Sequence, residues 1–517
     1  MDIRSKLPPA TRTAEARRTP ASGATPHARP LALALAAAFG VACGSGMAAP
    51  TPQVDARARN GAAPSGAPIL WLVENCNDAG AGSLRDAAAH ALDGDAIDLS
   101  NLACSTISVT SGTIKLADVS LTGPGADALT IDGLGNGNRR IFSHVGHGGT
   151  LTLRDVTVHG GKYQSDAGRG GACLRSSGGR LHVYDSVFDG CIAFAPSGSG
   201  SVVRGGAIAA YGSYVMLSHV TLTNNQARAT NGAALGGALY VSDRTLISNC
   251  TISNNSATAV NGSAIRHGGG VFAHGNAELW YSTLDGNLSG GNGGGAFVEG
   301  NGGLAFSTVS NNTASGGGSG IVFSGTRDVA ASIVNVIAST VSGNVTEAST
   351  QTGSGALYVN TDFVTILGST IAGNVESNIQ DIAWGAGIMF GPATVDGMTM
   401  SSTIVHGNHI RDLTHGADIG GPLGATIAGD HNLIGVAYVY SPPDTIQLAD
   451  PLLGPLQDNG GRTWTRMPAA GSPAIDHGDS HGQVFDQREY PRVAGAAADI
   501  GAVEALSDVI FADGFDT

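Results

Sequence analysis

Asp155, Asp185 and His219 carry the residue types of general acid–base chemistry, and they recur at intervals of 30 and 34 residues. Each stands two positions before the centre of a recurring segment: DVTVHG at Asp155, DSVFDG at Asp185 and HVTLTNN at His219. If those segments stack as strands of successive coils, neighbouring side chains lie about 4.8 Å apart, close enough for two carboxyls to raise one pKa and form an acid/base pair. Asn249 continues the column, and Arg154, Arg180 and His182 lie near it in sequence. The same residues also read as polar groups at a turn edge, offset by the arginines. A second column, two residues after the centre, holds His159, Asp189, Thr223, Ser253 and Asp285. Its two carboxylates are three coils apart, about 14 Å, beyond the roughly 5 to 9.5 Å used by paired-carboxylate glycosidases. Trp280 and Tyr281, with Phe306 one coil on, form a candidate ligand-binding platform for saccharide stacking, or pack in the ordinary way. Gly146-His147-Gly148 reads as a glycine turn carrying a histidine. Asp476, Asp479, Asp486, Arg488, Asp499 and Glu504 lie among Gly, Pro and Ala, where turns and an internal Arg488 ion pair account for them. Lacking calcium-loop and zinc-type spacings, the chain is expected to hold no metal and no cofactor.

The elements that must position these residues follow from a repeat of about thirty residues. To the three segments above are added NCTISNN at Asn249, YSTLDGN at Tyr281, FSTVSNN at Phe306, ASTVSGN at Ala338, GSTIAGN at Gly368 and SSTIVHGN at Ser401. The shared centre is Thr157, Val187, Thr221, Thr251, Thr283, Thr308, Thr340, Thr370 and Thr403. Period-two alternation makes each a strand. Val156, Ser186, Val220, Cys250, Ser282, Ser307, Ser339, Ser369 and Ser402 point inward, as do Val158, Phe188, Leu222, Ile252, Leu284, Val309, Val341, Ile371 and Ile404; the threonines face out. Asn225, Asn255, Asn287, Asn312, Asn344 and Asn374 share a register after the strand, where a tolerance for left-handed backbone suits a sharp corner. Glycine clusters such as Gly205-Gly206-Ala207 and Gly236-Gly237-Ala238 precede a further short apolar strand. A unit of this size cannot close its own core, but stacked units can. The fold class is therefore all-β: a right-handed parallel β-helix, the hand following from the usual crossover preference. Nine coils span roughly 43 Å, and three or four less regular ones from Ile107 to Phe142 extend the stack to about 60 Å.

The 78 glycines among 517 residues lack a collagen period, and 42% hydrophobic against 13% charged residues excludes general disorder. A formal charge of -14 excludes general attraction to nucleic acid. Leu31 to Cys43 is an apolar run of 13 residues behind a basic stretch, the shape of a secretory signal peptide. It spans about 20 Å as a helix, short of a roughly 30 Å hydrocarbon core. Twin-arginine export through Arg17-Arg18 and lipidation at Cys43 stay open. In an oxidising compartment the remaining cysteines are expected to pair as Cys76 with Cys104 and Cys173 with Cys191, leaving Cys250 buried and free.

The Gly-Gly-Ala segments paired with SNN and SGN strand ends resemble the repeats of the polymorphic outer-membrane protein family, within the pectin-lyase-like β-helix class. Cys76-Asn77-Asp78 and Gly82-Ser83-Leu84-Arg85-Asp86-Ala87 resemble the opening of β-helix proteins with a C-S-L-R-E-A signature, although this chain reads GSLRDA. Asp450-Pro451-Leu452, LQDNGG, GSPAIDHGD, DQREYPR and ADIGAVE resemble the choice-of-anchor Q domain of bacterial surface proteins. These divisions give a signal peptide at 1–49, a linker at 50–68, a cap and first coils at 69–142, repeats at 143–440, a small loop-rich C-terminal domain at 441–504 and a tail at 505–517. The resemblance implies export to the surface of a Gram-negative cell or beyond it, peripheral or anchored outer-membrane association, and extracellular polysaccharide or host-surface components as partners. A structural or adhesive role is the first expectation. The alternative is a polysaccharide lyase or glycoside hydrolase working at Asp155, Asp185 and His219, although the D-D and R-I-K motifs of polygalacturonase-like enzymes are missing.

Overall fold

The structure is a computed structural model that describes residues 67–505 apart from 136, 166–169, 197–200, 213, 261–264, 326–330, 348–354, 378–384, 395–396, 411–417, 423 and 443. The signal segment, nearly all of the linker and the tail from 506 onward lie outside the described residues. A representative coil, the fourth along the first sheet, runs Thr150–Arg154, Thr157–His159, Lys162–Gln164 and Leu174–Ser177 before Arg180–Tyr184 opens the next. We call the sheets built from copies of these four strands the first to the fourth; they hold 13, 13, nine and 11 strands. Each strand pairs in parallel with its copies on the adjoining coils, so Val187 lies between Thr157 and Thr221. A fifth sheet, Val202–Arg204, Ala233–Leu235 and Arg266–His267, thickens three coils.

Alternation places the core as the sequence dictates. Val158, Phe188, Leu222, Ile252, Leu284, Val309, Val341 and Ile371 line the inside of the second sheet and have no exposed surface. Full burial of such a side chain stabilises by about 1.5–3 kcal/mol, and the layer above supplies the contact that one coil lacks. At the glycine corners backbone crowds backbone. A Cβ on Gly236, whose φ is +70°, would meet the Leu239 carbonyl at 2.1 Å, and one on Gly237 would meet the Gly269 carbonyl at 1.9 Å. The first coil is closed by the helix Leu84–His90, whose Ser83 side chain caps the Asp86 amide and whose Leu84, Ala87 and Ala88 are buried. Both expected disulfides form, Cys76–Cys104 and Cys173–Cys191, and Cys250 is buried and free, its thiol pushed up to about 12 by burial.

Three expectations are corrected. The asparagines from Asn225 to Asn374 are not the left-handed residues of their corner; that role falls one position earlier, to Asn224, Asn254, Gly286, Asn311, Gly343 and Gly373. The asparagines instead point inward and form a buried ladder. The Nδ2 of Asn225 donates to Oδ1 of Asn255, and the pattern repeats through Asn287, Asn312, Asn344, Asn374 and Asn408 at 2.7–3.0 Å, ending on Oδ1 of Asp418 at 2.8 Å. Second, the last repeat is out of register by one: Ile404, not Thr403, lies beside Thr370. Thr403 therefore occupies the inward position expected of Ser402, accepting from the Ser369 amide, and Val405 the one expected of Ile404. Third, Thr308, Thr340, Thr370 and Thr403 are buried. The first three face outward from their strands and are covered by the C-terminal segment, while Thr403 is turned inward by the register shift.

That segment, residues 450–505, is loop-rich and holds only isolated bridges such as Gln457 with Thr465 and Gly478 with Ala498. It runs along the second sheet: Thr308 donates to the Trp464 carbonyl at 2.5 Å, Thr340 to Gln487 Oε1 at 2.6 Å, and the Ala502 amide to Thr370 Oγ1 at 3.0 Å. Outward-turned Ile404 and Leu433 pack there against Ala474 and Ile500. The acidic residues of the segment hold it together, as their surroundings suggest. Asp486 and Arg488 form a fully buried pair at 2.6 Å, Arg492 approaches Glu504 at 3.5 Å, and burial pushes the Glu504 carboxyl up to about 7 despite the Asp499 and Ala494 amides that bind it.

Candidate functional site

Between the first and second sheets each coil from Asp155 onward turns through one residue with left-handed backbone: Asp155, Asp185, His219, Asn249, Tyr281, Phe306, Ala338, Gly368, Ser402 and His431, with φ from 43° to 59°. Asp, Asn and His tolerate this conformation better than other non-glycine residues, which explains the polar types at the start of the column. The residues form a ridge along the edge of the solenoid, and the structure brings the three acid–base candidates together on it. Arg154, last in its first-sheet strand, lies 3.6 Å from the Asp155 carboxylate and 3.9 Å from that of Asp185. His219 Nδ1 is 3.9 Å from the other Asp185 oxygen and 3.1 Å from Ser218 Oγ. Partial burial raises the Asp155 pKa, with Arg154 opposing and Asp185 reinforcing the shift. The site is thus two carboxylates bridged by a guanidinium, with an imidazole at one end, all partly exposed.

Further along the same ridge, Tyr281 and Phe306 stack with ring centroids 4.9 Å apart. Trp280 does not join them; it ends a first-sheet strand and bonds Glu278. The stack already has a neighbour from its own chain: Arg462 lies 5.2 Å over the Tyr281 ring and donates to Asn249 Oδ1 at 2.6 Å, while Thr463 donates to the Phe306 carbonyl. The ridge is therefore open from Asp155 to His219 and contacted by the C-terminal segment from Asn249 onward. In the other column, His159 binds Asp189 at 2.9 Å, and Asp285 accepts from Ser310 and Asn311.

A group that sequence reasoning passed over lies near the first coils. A shallow cleft of about 510 Å³ is lined by Asp93, Asp118, His147, Thr150 and Thr152, and by neither Asp155 nor Asp185. Asp118 accepts from the His147 and Gly149 amides and from His144, whose other ring nitrogen meets Ser176 Oγ at 2.8 Å. Burial works against the Asp118 charge, but these donors outweigh it and hold the carboxyl below its usual range; burial also lowers the His144 pKa. His147 Nδ1 bonds Asp93 at 3.0 Å. Gly146-His147-Gly148 is a turn, and its histidine and Asp118 are bonded within this network. Ser176 and His144 are fully buried, so the array is a support and offers no nucleophile to solvent.

Aromatic residues also recur where the glycine-corner strands begin. Tyr240, Phe272, Phe297, Val322 and Tyr358 occupy one outward register on the fourth sheet, and Tyr240, Phe272 and Phe297 stack at 5.5–5.7 Å. The fifth-sheet His267 covers them, 4.4 Å from Phe297, and burial lowers its pKa to about 4. The signal was present in ALYV, VFAH and AFVE. Because the neutral ring is the folded form, this contribution is complete above about pH 6.5 and is lost as pH falls toward 4. About 3 kcal/mol is at stake. Denaturant melts at pH 7 and pH 4.5 should show a pH-dependent loss that His267→Phe reduces; an equal loss in both proteins refutes this assignment.

The stacked parallel sheets define the class, a right-handed parallel β-helix. A family model described as "Right handed beta helix region" matches residues 141–338. Among solved structures, the PL6 family alginate lyase AlyGC is 13% identical with a TM-score of 0.33, the alignment covering 86% of this chain and 60% of that one. The pectate lyase Pel9A is 13% identical with a TM-score of 0.31, covering 82% and 90%. The A-module of the Azotobacter vinelandii mannuronan C-5 epimerase AlgE4 is 10% identical with a TM-score of 0.22, covering 67% and 90%. The chain thus spans about three fifths of the alginate lyase's length. None of the curated proteins matches it.

Proposed function

We propose that this chain is an exported β-helix with a binding or adhesive role, presenting the open ridge from Asp155 to His219 to an extracellular polysaccharide or another cell-surface component. The observation that carries this reading is the Arg154 guanidinium between two partly exposed carboxylates, an arrangement that offers both signs of charge along an edge and offsets one of the two negative charges. Two disulfides agree with an oxidising compartment. Among the described residues no helix is long and apolar enough to cross a membrane. Anchoring at an outer membrane would fall to residues 441–504 or the tail, and no metal or cofactor enters this role.

One observation favours a second reading, a polysaccharide lyase or glycoside hydrolase: Asp155 has a raised pKa beside Asp185, which in turn lies 3.9 Å from His219, as a proton donor with a neighbouring base needs. One experiment separates the two. The protein is incubated with acidic and neutral polysaccharides and with cells, and retention and products are both measured. Retention without new reducing ends or unsaturated products, weakened at least several-fold by Arg154→Ala, is expected. Product formation abolished by Asp185→Asn establishes the enzyme instead, and a protein retained by none of the glycans or cells refutes the binding role.

A further inference from the structure

The ridge ends on a cluster that belongs to neither reading. His431 is its last left-handed residue, Asp430 precedes it, and His481 reaches the same point from the C-terminal segment, itself held at a φ of 46°. Asp430 Oδ1, His431 Nδ1 and His481 Nε2 all lie within 4.8 Å of one another; His481 is 2.8 Å and His431 3.4 Å from the carboxylate oxygen. Each of these three atoms is shut off from solvent, and none makes a hydrogen bond of acceptable geometry. Three unsatisfied buried atoms facing one another are costly unless something binds them together. The contrast with Asp93, Asp118 and His147 is chemical: there each residue already has hydrogen bonds, and the set is closed.

We propose that Asp430, His431 and His481 form a site for a zinc-type divalent transition metal, which clips the C-terminal segment to the last coils of the β-helix. Two imidazole nitrogens and one carboxylate oxygen are a borderline donor set that suits zinc, cobalt or nickel and disfavours calcium and magnesium. Ligand atoms about 2.0–2.1 Å from a tetrahedral ion stand about 3.4 Å apart, so the present spacing needs only a small opening at His481. Ser402 positions both halves. Its amide donates to the Asp430 carbonyl, its hydroxyl donates to the Asp479 carbonyl, and the same oxygen accepts from the Asp479 amide, two residues before His481. Three protein ligands leave a coordination position for water or an external donor.

The test uses the full chain without a histidine tag, stripped with chelator and titrated with Zn²⁺ and, separately, Co²⁺. One equivalent should bind, raising the melting temperature, and Co²⁺ should give visible absorption of a four- or five-coordinate centre. His481→Ala and His431→Ala should weaken binding at least tenfold and remove the thermal shift, whereas His147→Ala should change neither. Binding unaltered in His481→Ala, or loss in His147→Ala alone, overturns the site. Should the histidine variants fail to fold, the Co²⁺ spectrum of the unaltered protein decides: featureless absorption at stoichiometric Co²⁺ refutes the proposal.

Discussion

Asn312→Ala should lower the unfolding free energy by roughly 4 kcal/mol, a large loss for one small polar side chain. The Nδ2 of Asn312 donates to the Leu284 carbonyl and to Asn344 Oδ1, both at 2.9 Å; its Oδ1 accepts from both the amide and the Nδ2 of Asn287, also at 2.9 Å. All four hydrogen-bonding sites of the carboxamide are used, and the residue has no exposed surface. Alanine leaves two donors on Asn287 buried without partners, at about 1–3 kcal/mol each before any relaxation, and strips one bond from the Leu284 carbonyl. Asn312→Asp should be worse at neutral pH, because a carboxylate replaces the donor facing Asn344. A carboxyl held there has a folded-state pKa above its unfolded value, so that deficit should shrink as pH falls below it. Denaturant midpoints for both variants, with Asn254→Gly as an exposed control, test the ladder. A loss under about 1 kcal/mol for Asn312→Ala would show that the coils do not depend on it.

The second large effect concerns the C-terminal segment. Arg488→Ala should destabilise its docking by about 3–5 kcal/mol, since removal of one partner leaves the Asp486 charge buried. The pair is sealed, with side chains 1% and 0% exposed, and Asp486 also gathers the amides of Arg488, Tyr490 and Glu504. Between the two charges sits Gln487, which bonds the Ser307 carbonyl, Thr308, Thr340 and Thr463. Loss of the pair should therefore free the outer face of the second sheet while the coils persist. Hydrogen exchange should rise along Thr308 and Thr340, and protease should cut between 450 and 505 before it cuts the solenoid. Unchanged exchange there would refute the assignment. Replacing both Asp486 and Arg488 by apolar residues of similar volume should cost less than removing either alone.

The coils were legible because their determinants are local. Alternation, a glycine corner and an asparagine corner repeat within each unit, and inward residues such as Phe188 and Leu284 lie where period two puts them. The register slip at the final repeat has a simple cause. SSTIVHGN was aligned on its threonine, but Asn374 binds Asn408, and counting back from the asparagine gives Ile404 as the partner of Thr370. The acid–base column was legible as a spacing, and the offsetting arginine as its neighbour in sequence; that its members share left-handed backbone was not, because a period says nothing of dihedral angles. Burial of Thr308, Thr340 and Thr370 depends on residues more than 100 positions away, and His481 meets Asp430 across 51. Contacts of that range leave no periodic trace.

The asparagine ladder also has a direction. Every carboxamide hands a proton donor forward to the following coil and takes one from the coil behind, so any number of identical units satisfies the same pattern. Only the two ends need different chemistry: at the start the Cys191 amide fills the first acceptor, and at the finish Asp418, a group that accepts and donates nothing, receives the last donor. Whole coils can therefore be gained or lost between Cys191 and Asp418 without leaving an unmatched amide. For the ladder, the length of the rod can thus change by duplication, in steps of one coil, while its two terminators stay the same; the docked C-terminal segment ties particular coils to particular partners.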